Sequence, residues 1–121
     1  GGGAGRFRGA PGGEVIYGPR KDPMTVVISC DGQVNPPQGV RGGQAGPPAQ
    51  TYKVHADGRE EKLPGVVECR LAPGEFVRGV DAGGGGYGSP LERDPARVCR
   101  DVLERWETAE RAREIYGVVL T

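Results

Sequence analysis

Alternation of apolar and polar residues dominates the middle of the chain, and a period of two is typical of β-strands. Residues 24–30 alternate and end at Asp31-Gly32, a pair that accommodates the positive φ of a tight turn. This pattern predicts a well-buried strand. A second alternating run, residues 52–56, returns through Asp57-Gly58 as residues 59–63, which predicts a polar hairpin that faces solvent.

A further pair of strands is predicted on either side of a turn that contains proline and glycine. Residues 67–71 alternate between apolar and charged, and residues 76–80 return after Ala72-Pro73-Gly74-Glu75. Proline and glycine stand there at the positions that a type II turn needs. We therefore predict that these two strands pair with each other as a hairpin.

After Pro90 the apolar residues take the spacing of a helix. Asp94 can cap this helix and Pro95 can occupy its first turn. An amide in the first turn has no partner within the helix, so proline loses no hydrogen bond there. The spacing predicts an apolar stripe facing inward and a charged face outward, namely Val98, Val102, Leu103 and Trp106 inward, and Arg97, Arg100, Asp101 and Glu104 outward.

A second short helix is predicted after Thr108, which can cap it. The inward residues of this helix are Ala112, Ile115 and Tyr116, and Gly117 suits a left-handed stop. Strands followed by helices predict an α+β fold of mainly antiparallel β hairpins with two short C-terminal helices. The expected organisation is one domain, residues 1–121, with glycine- and proline-rich loops at 1–13 and 35–50, a β-rich part at 14–80, a glycine-rich loop at 81–93 and a helical part at 94–117.

Four consecutive glycines at residues 83–86 are rare in an ordinary linker, and Tyr87 and Pro90 add contact area and stiffness. Such a segment offers its backbone rather than side chains. Gly83, Gly85 and Gly88 match G-x-G-x-x-G, but Pro90 stands between the last glycine and the helix, and no Gly-Lys-Ser/Thr follows. Neither a dinucleotide fold nor a phosphate-binding loop is therefore predicted.

Composition bounds the remaining possibilities. Glycine contributes 23 residues and proline 11, which leads us to expect disorder at residues 1–13 and 35–50. The 16 basic and 16 acidic residues are interspersed, so no nucleic-acid partner is expected. Without a long apolar run, no membrane segment or secretory signal is predicted, and a cytoplasmic location is the expectation.

Candidate reactive side chains are few. Cys30, Cys69 and Cys99 are widely spaced and odd in number, which favours reduced, structural thiols over disulfides or a zinc site. His55 is the single histidine, and beside a hairpin turn it is expected to be a surface or edge residue rather than a base or ligand.

Three stretches, in order, resemble the C-terminal end of the hydantoinase B and 5-oxoprolinase family. They are Gly2-Gly3-Ala4-Gly5-Arg6-Phe7-Arg8-Gly9, then Asn35-Pro36-Pro37-Gln38-Gly39-Val40-Arg41-Gly42-Gly43-Gln44-Ala45-Gly46, and then the glycine loop with Ile115-Tyr116-Gly117-Val118-Val119-Leu120. Phe7 stands where the family pattern has tryptophan, and Ser89 where an aspartate commonly precedes the proline.

The resemblance implies a C-terminal segment of a larger B-type subunit in an ATP-dependent amidohydrolase that opens a cyclic amide or imide. The implied partners are the remainder of that subunit, a hydantoinase A-type subunit that binds ATP, and a small cyclic amide substrate. The resemblance also implies a divalent metal, held by residues outside this chain, so that no cofactor is expected on the chain itself. Related acetone and acetophenone carboxylases, and a non-catalytic module for subunit interaction or scaffolding, remain as alternatives.

The glycine loops give two interpretations. In one they are scaffold, and in the other their backbone amides line a pocket and orient a carbonyl or carboxylate. Arg6, Arg8 and Arg41 stand beside glycines and can add a cation for an anionic group. The candidate pocket-lining residues are Arg41, Gly42, Gly43, Gly46, Gly83, Gly84, Gly85, Gly86, Tyr87 and Gly88. No catalytic residue is assigned, and the isolated chain is expected to be inactive.

Overall fold

A computed structural model describes residues 1–121. The strands are β1 (Glu14–Tyr17), β2 (Met24–Ser29), β3 (Gln50–Val54), β4 (Glu60–Leu63), β5 (Val66–Leu71) and β6 (Phe76–Val80), and the helices are α1 (Pro95–Leu103) and α2 (Ala109–Tyr116). Short 3-10 helices lie at Asp31–Gln33 and Pro90–Glu92. All strand pairs are antiparallel, which confirms the predicted α+β class with two helices near the C-terminus.

The chain forms two compact units, and each is assembled from segments that are distant in sequence. The glycine unit consists of Gly1–Pro11, Pro37–Pro47 and Gly83–Thr121, and includes both α-helices. The strand unit consists of Gly12–Pro36 and Pro48–Ala82, and includes all six strands. Pairing of distant segments costs loop-closure entropy, so each unit needs favourable contacts that local sequence alone does not supply.

Two sheets form the strand unit. One has four strands in the order β1-β6-β3-β4, and the other pairs β2 with β5. A small apolar core joins them, made of buried residues from β4, β5 and β6 with half-buried residues of β2 and β5 against it: Leu63, Cys69, Leu71 and Val77, with Val26, Ile28 and Val67.

The predicted hairpin of residues 52–63 is present as β3 and β4, with Gly58 at φ 89° in its turn. The other predicted hairpin is wrong. The turn itself forms, with the Glu75 amide donating to the Ala72 carbonyl at 3.0 Å. However, β5 pairs with β2, whereas β6 pairs with β1 and β3. Alternation fixes which face of a strand is buried but not which strand lies beside it.

The prediction that the strand at residues 24–29 is well buried is also wrong. Only Val26 and Ile28 are half-buried, and the other residues of β2 are exposed. The reason is that a two-stranded sheet with one covered face leaves every second residue in solvent. Asp31-Gly32 begins a 3-10 helix rather than a hairpin turn.

The capping signals of both helices are confirmed. The Asp94 carboxylate accepts a hydrogen bond from the Ala96 amide at 2.9 Å, and the Thr108 hydroxyl accepts one from the Arg111 amide at 3.1 Å. Gly117 ends α2 at φ 68°, in the left-handed region that glycine tolerates. Val98, Ala112 and Tyr116 form the buried centre of this unit together with Ala4.

Two predictions about the faces of α1 are wrong. Leu103 is 77% exposed and Trp106 46%, because α1 ends at Leu103 and the inward stripe ends with it. Asp101 was predicted to face solvent and is only 5% exposed. Its carboxylate pairs with Arg93, which is a partner that helical periodicity does not reveal.

Candidate functional site

The centre of the glycine unit is the glycine-rich loop, whose amides donate in turn to carbonyl groups of residues 44–47, of residues 7–10 and of Val40. Gly83 donates to the Pro47 carbonyl at 3.1 Å and Gly86 to that of Gln44 at 2.9 Å. Gly84 donates to Ala10 and Tyr87 to Phe7, each at 2.9 Å, and Gly88 donates to Val40 at 2.9 Å. Donors three residues apart therefore reach the same segment, which is the three-residue turn of an extended left-handed helix.

Carbonyl groups of the same loop are also occupied. The oxygen of Gly84 accepts from the Gly3 amide at 2.8 Å, and that of Gly86 accepts from Val40 at 3.0 Å. Tyr87 accepts from Phe7 and Gly88 from Arg6, at 2.9 and 3.2 Å. We call this set of bonded segments the glycine bundle: residues 3–10, 37–47 and 83–88.

Close approach of the segments explains why glycine is needed in the bundle. A Cβ atom built on Gly85 would lie 2.0 Å from the Gln38 carbonyl oxygen, and one on Gly86 would lie 2.0 Å from that of Ala4. Built on Gly43 it would lie 2.0 Å from the Gly86 oxygen. Backbone atoms occupy the space of a side chain, so no other residue fits.

The expectation of disorder in residues 1–13 and 35–50 is wrong for the same reason. Most of these residues belong to the bundle, where backbone hydrogen bonds hold them to the glycine loop. A high glycine content is typical of disordered segments, which is why composition predicted disorder here. A glycine whose neighbours fill the side-chain position is instead fixed in place.

The structure brings all the predicted pocket-lining residues together in the glycine bundle. The amides of Gly83, Gly84 and residues 86–88 are already used in backbone bonds, so they are not free donors for a ligand. The Gly43 and Gly46 amides likewise donate, to the Val40 and Pro37 carbonyls. Pocket lining stays a prediction. The side chains of this set that are exposed, and so able to contact a ligand, are those of Arg41 and Tyr87.

These side chains belong to an exposed cluster that we call the arginine-aromatic patch: Arg6, Phe7, Arg41 and Tyr87. The two rings lie 6.2 Å apart between centroids, the Arg41 guanidinium carbon lies 5.9 Å from the centre of the Tyr87 ring, and that of Arg6 lies 5.4 Å from the centre of Phe7. Phe7 is 49% and Tyr87 43% exposed. Stacked guanidinium and aromatic groups suit a planar or anionic surface.

Arg41 owes its position to a tight turn. The Gly43 amide donates to the Val40 carbonyl at 3.0 Å, and Arg41 and Gly42 within the turn have φ angles of 51° and 89°. A positive φ at a residue other than glycine is uncommon and is held by the surrounding bonds. Arg41 was a sequence candidate, whereas the neighbouring Phe7 ring was not.

Arg8, another candidate cation, is used internally. Its guanidinium lies 3.3 Å from the Asp101 carboxylate, which also takes two contacts from Arg93 at 3.0 and 3.1 Å. Arg93 donates further to the Arg6 carbonyl at 3.1 Å and so joins the helices to the bundle. Because Arg93 and Asp101 are almost fully buried, this cluster is structural and is not free to bind an anion.

Beside this cluster lie two buried polar atoms without a hydrogen-bond partner, Nη1 of Arg8 and the hydroxyl of Tyr116. Burial raises the pKa of Tyr116 above its usual 10.0, and the negative charge of Glu107 raises this pKa further. Neither atom was signalled by the sequence, because nothing in the spacing of Arg8 and Tyr116 relates them to Asp101.

A cavity of about 330 Å³ opens beside the bundle and is lined mainly by glycine and alanine residues. Its charged side chains, Glu107 and Arg111, form an ion pair with each other. The wall offers little that would discriminate between ligands. Its lining includes residues 1–4 and 44–47, Trp106, Glu107 and Arg111.

Metal-binding and nucleophilic groups are not assembled in this chain. No group of three or more His, Cys, Asp and Glu side chains is placed to hold a metal ion. All three cysteines are free thiols, with Cys69 buried and Cys30 and Cys99 half-buried. His55 contacts two carboxylates, with ring nitrogens 3.0 Å from Glu61 and 3.5 Å from Glu75.

Ser89, which stands where the resemblance noted in the sequence implies an aspartate, has an identifiable role. Its hydroxyl accepts a hydrogen bond from the Leu91 amide at 3.3 Å and caps the 3-10 helix Pro90–Glu92. Serine is a good substitute for aspartate in such a cap, since both place an oxygen near the free amides.

Comparison with known proteins assigns the chain to a family. The sequence profile of the family described as Hydantoinase B/oxoprolinase matches residues 1–90. The chain belongs to this family. It is 37% identical over 98% of its length to the caprolactamase subunit beta of Pseudomonas jessenii, and covers 21% of that subunit.

Solved structures support the same assignment. The chain is similar to the ATP-dependent caprolactamase of Pseudomonas jessenii with a TM-score of 0.72 and 30% identity, over 98% of this chain and 21% of that one. It shares its fold with nucleotide-free acetone carboxylase at a TM-score of 0.60 and 20% identity, over 99% of this chain and 20% of the other. It therefore spans about a fifth of the length of these relatives.

No helix in the structure is both long enough and apolar enough to cross a membrane. The two α-helices have 9 and 8 residues, which is less than half of the about 20 that a spanning helix needs.

Proposed function

We propose that this chain is the C-terminal segment of a B-type subunit in an ATP-dependent enzyme that hydrolyses a cyclic amide or imide. The observation that carries the proposal is the match to caprolactamase subunit beta at 37% identity over 98% of the chain. A cytoplasmic location is part of the same proposal. The partners we propose are the remainder of the B-type subunit and an A-type subunit that binds ATP.

Within that enzyme the chain supplies architecture rather than reacting groups. Its residues do not fit a divalent metal, since no cluster of ligating side chains is present. They do not fit a nucleotide either, because the amides of Gly83, Gly84 and residues 86–88 are already bonded to carbonyls. We therefore propose that the metal and the ATP are held by other parts of the enzyme, and we derive no catalytic step through this chain.

The arginine-aromatic patch is where the chain has the means to act on substrate or partner. Arg41 and Tyr87 project from the rigid bundle, so their positions are fixed by backbone bonds on both sides. We propose that this patch contacts either the substrate pocket or another subunit. An Arg41→Ala variant that raises KM at unchanged kcat supports a pocket role, and unchanged kinetics with weaker subunit assembly supports an interface role.

The experiment for the main proposal uses the complete polypeptide that carries this chain, purified with its A-type partner. Incubation with ATP and a panel of lactams and hydantoins is expected to give ATP-dependent ring opening, followed as product acid and ADP. Fixation of bicarbonate onto a ketone, without ring opening, would instead identify a carboxylase. Partner binding with no turnover of either kind would favour a scaffold module.

A chimaera provides a second test that does not require the natural substrate. The matching fifth of caprolactamase subunit beta is replaced by this chain, and hydrolysis of caprolactam is measured. An architectural segment is expected to preserve activity, because it contributes no substrate-specific chemistry. A folded, assembled but inactive chimaera would contradict the architectural role.

A further inference from the structure

The four-stranded sheet of the strand unit has two edges of opposite character. On the β4 edge, Glu60, Glu61 and Lys62 are all exposed, and charges of this kind discourage pairing with another strand. The β1 edge reads Glu-Val-Ile-Tyr, and all four of its residues are exposed. One edge of the sheet is therefore protected and the other is not.

The core face of the sheet carries buried residues on β4 and β6 but none on β1. Strand register places Val15 in one row with Gly79, Thr51 and Leu63, and Tyr17 in one row with Val77. Leu63 and Val77 are 6% and 1% exposed in the core, but Val15 remains 52% exposed. The second sheet thus packs on Leu63 and Val77 but leaves Val15 in solvent.

The outer face of β1 is apolar as well. Ile16 stands in one row with Arg78 and Tyr52, on the outer face where Arg78 forms ion pairs with two glutamates, and is 56% exposed. A strand that faces solvent on one side normally alternates between apolar and polar residues. Apolar residues on both faces of an edge strand instead match a strand that is enclosed by further structure.

We propose that the free edge of β1 is completed by an additional β-strand from a part of the same subunit outside these 121 residues. The added strand pairs with the β1 backbone and places apolar residues beside Val15 and Tyr17, as in strand addition to an open sheet edge. This inference rests on the proposed function, in which the chain is one segment of a longer B-type subunit.

The choice of occupant follows from chain length. Because 98% of this chain matches 21% of caprolactamase subunit beta, about four-fifths of such a subunit lies outside the matched segment. A strand on the same polypeptide is held near β1 at high effective concentration, which favours it over a second molecule. Completing the edge also removes a site for aggregation.

Hydrogen exchange within the complete subunit tests the proposal, with β4 as the internal control. Both are four-residue edge strands in one sheet. Paired amides are protected from exchange, so we expect β1 amides to exchange at least about tenfold more slowly than those of β4. Equal exchange rates in β1 and β4 would overturn the proposal.

Variants on the same two edges sharpen the test. Val15→Lys places a charge where the proposed strand packs and is expected to raise exchange in β1 by about tenfold, whereas Lys62→Glu on the β4 edge leaves both strands unchanged. Val15→Thr serves in the same way if Val15→Lys does not fold. If neither Val15 variant alters exchange in β1, the edge is not covered.

Other occupants give distinct results, and each overturns the assignment to the same subunit. Protection of β1 that increases with protein concentration indicates a second copy, and protection that appears only on adding the A-type subunit indicates that partner. The intact mass of the natural polypeptide separates this inference from the proposed function. A mass of 12.7 kDa refutes both, while a larger subunit with an unprotected β1 refutes this inference alone.

Discussion

The two units of this chain reach a fixed structure by opposite means. In the strand unit, side chains such as Leu71 and Val77 fill a core between two sheets and are almost completely buried. In the glycine bundle the absence of side chains lets backbones approach until carbonyls occupy the space of a Cβ atom. Burial of apolar area stabilises the first unit, and backbone hydrogen bonding together with close contact stabilises the bundle.

This difference predicts different tolerance to change. A core accepts substitutions that keep volume and apolar character, usually at a cost of less than about 1.5 kcal/mol. A glycine with backbone 2.0 Å from its missing Cβ accepts none, because no smaller residue exists and the neighbouring chain must move. Mutation of each unit therefore tests the comparison directly.

The largest effect is expected for Gly86→Ala, whose Cβ would lie 2.0 Å from the Ala4 carbonyl oxygen. We expect the free energy of unfolding to fall by more than about 4 kcal/mol, beyond ordinary overpacking, because two backbone segments must separate. Chemical denaturation measures the change. Gly84→Ala in the same run is the control, since its nearest atom is 3.1 Å away. Equal losses in the two variants would show that close approach is not the cause.

Asp101→Asn is expected to cost about 3–5 kcal/mol, because it removes the charge that compensates the nearly buried Arg93. The ion-pair cluster of Arg8, Arg93 and Asp101 differs from the rest of the glycine unit, because here side chains rather than backbone groups connect the bundle to a helix. Glu104→Gln is the matched control, exposed just after the same helix. A loss no greater than that of the control, measured by urea unfolding, would assign the stability to the backbone alone.

In the strand unit, Leu71→Ala is expected to cost about 2–5 kcal/mol, and Leu71→Met less than about 1.5 kcal/mol. Leu71 is fully buried, so the alanine variant leaves a cavity while the methionine variant refills it. Thermal and urea unfolding measure both. If methionine were as damaging as alanine, the strand unit would be as intolerant of change as the bundle, and the contrast between the units would be lost.

Sequence patterns predicted the strand unit better than the bundle, for a physical reason. Period-two alternation located five of the strands, and the caps at Asp94 and Thr108 located both helices, since these signals are local. The pairing of β5 with β2 was missed because the strands of both sheets alternate in the same way. Alternation therefore does not show which strands are neighbours. Asp101 was misplaced because its partner Arg93 lies before the helix begins.

For the candidate site, the sequence identified the glycine segments but not what they do. Composition predicts that these loops are flexible, but backbone hydrogen bonds hold them along most of their length. The segments can approach closely because glycines lie on both partners, for example in residues 39–46 and 83–88. The three-residue spacing of the donor amides in the glycine loop is visible only when their partner segments are known. Arg41 and Tyr87 were named as candidates, and their stacking depends on a turn with positive φ that composition does not encode.

A smaller effect, and a gain, is expected for Tyr116→Phe. The hydroxyl is buried without a partner, so its removal is expected to add about 1 kcal/mol to the free energy of unfolding. The folded-state pKa of Tyr116 is raised, so the protonated hydroxyl favours the folded state. The stability that comes from this difference in pKa is fully present below pH 10.0 and is lost as pH rises through the folded value. Unfolding measured from neutral to alkaline pH checks both points, with the more exposed Tyr17→Phe as control. A loss of stability in Tyr116→Phe would reveal a partner for the hydroxyl.

The smallest effect is expected on the exposed face of the strand unit, where Arg78 donates to Glu60 at 2.9 and 3.1 Å. Hydrogen bonding from Arg78 lowers the pKa of Glu60 from 4.5, so the charged carboxylate favours the folded state. This contribution is complete above pH 4.5 and is lost as pH falls through the lowered folded value. Solvent and salt screen such a pair, so Glu60→Gln is expected to flatten the acid limb of the stability profile only slightly. A large change would mean that side chains on the outer face hold the sheet as firmly as those in the core, and the strand unit would then depend on more than its apolar centre.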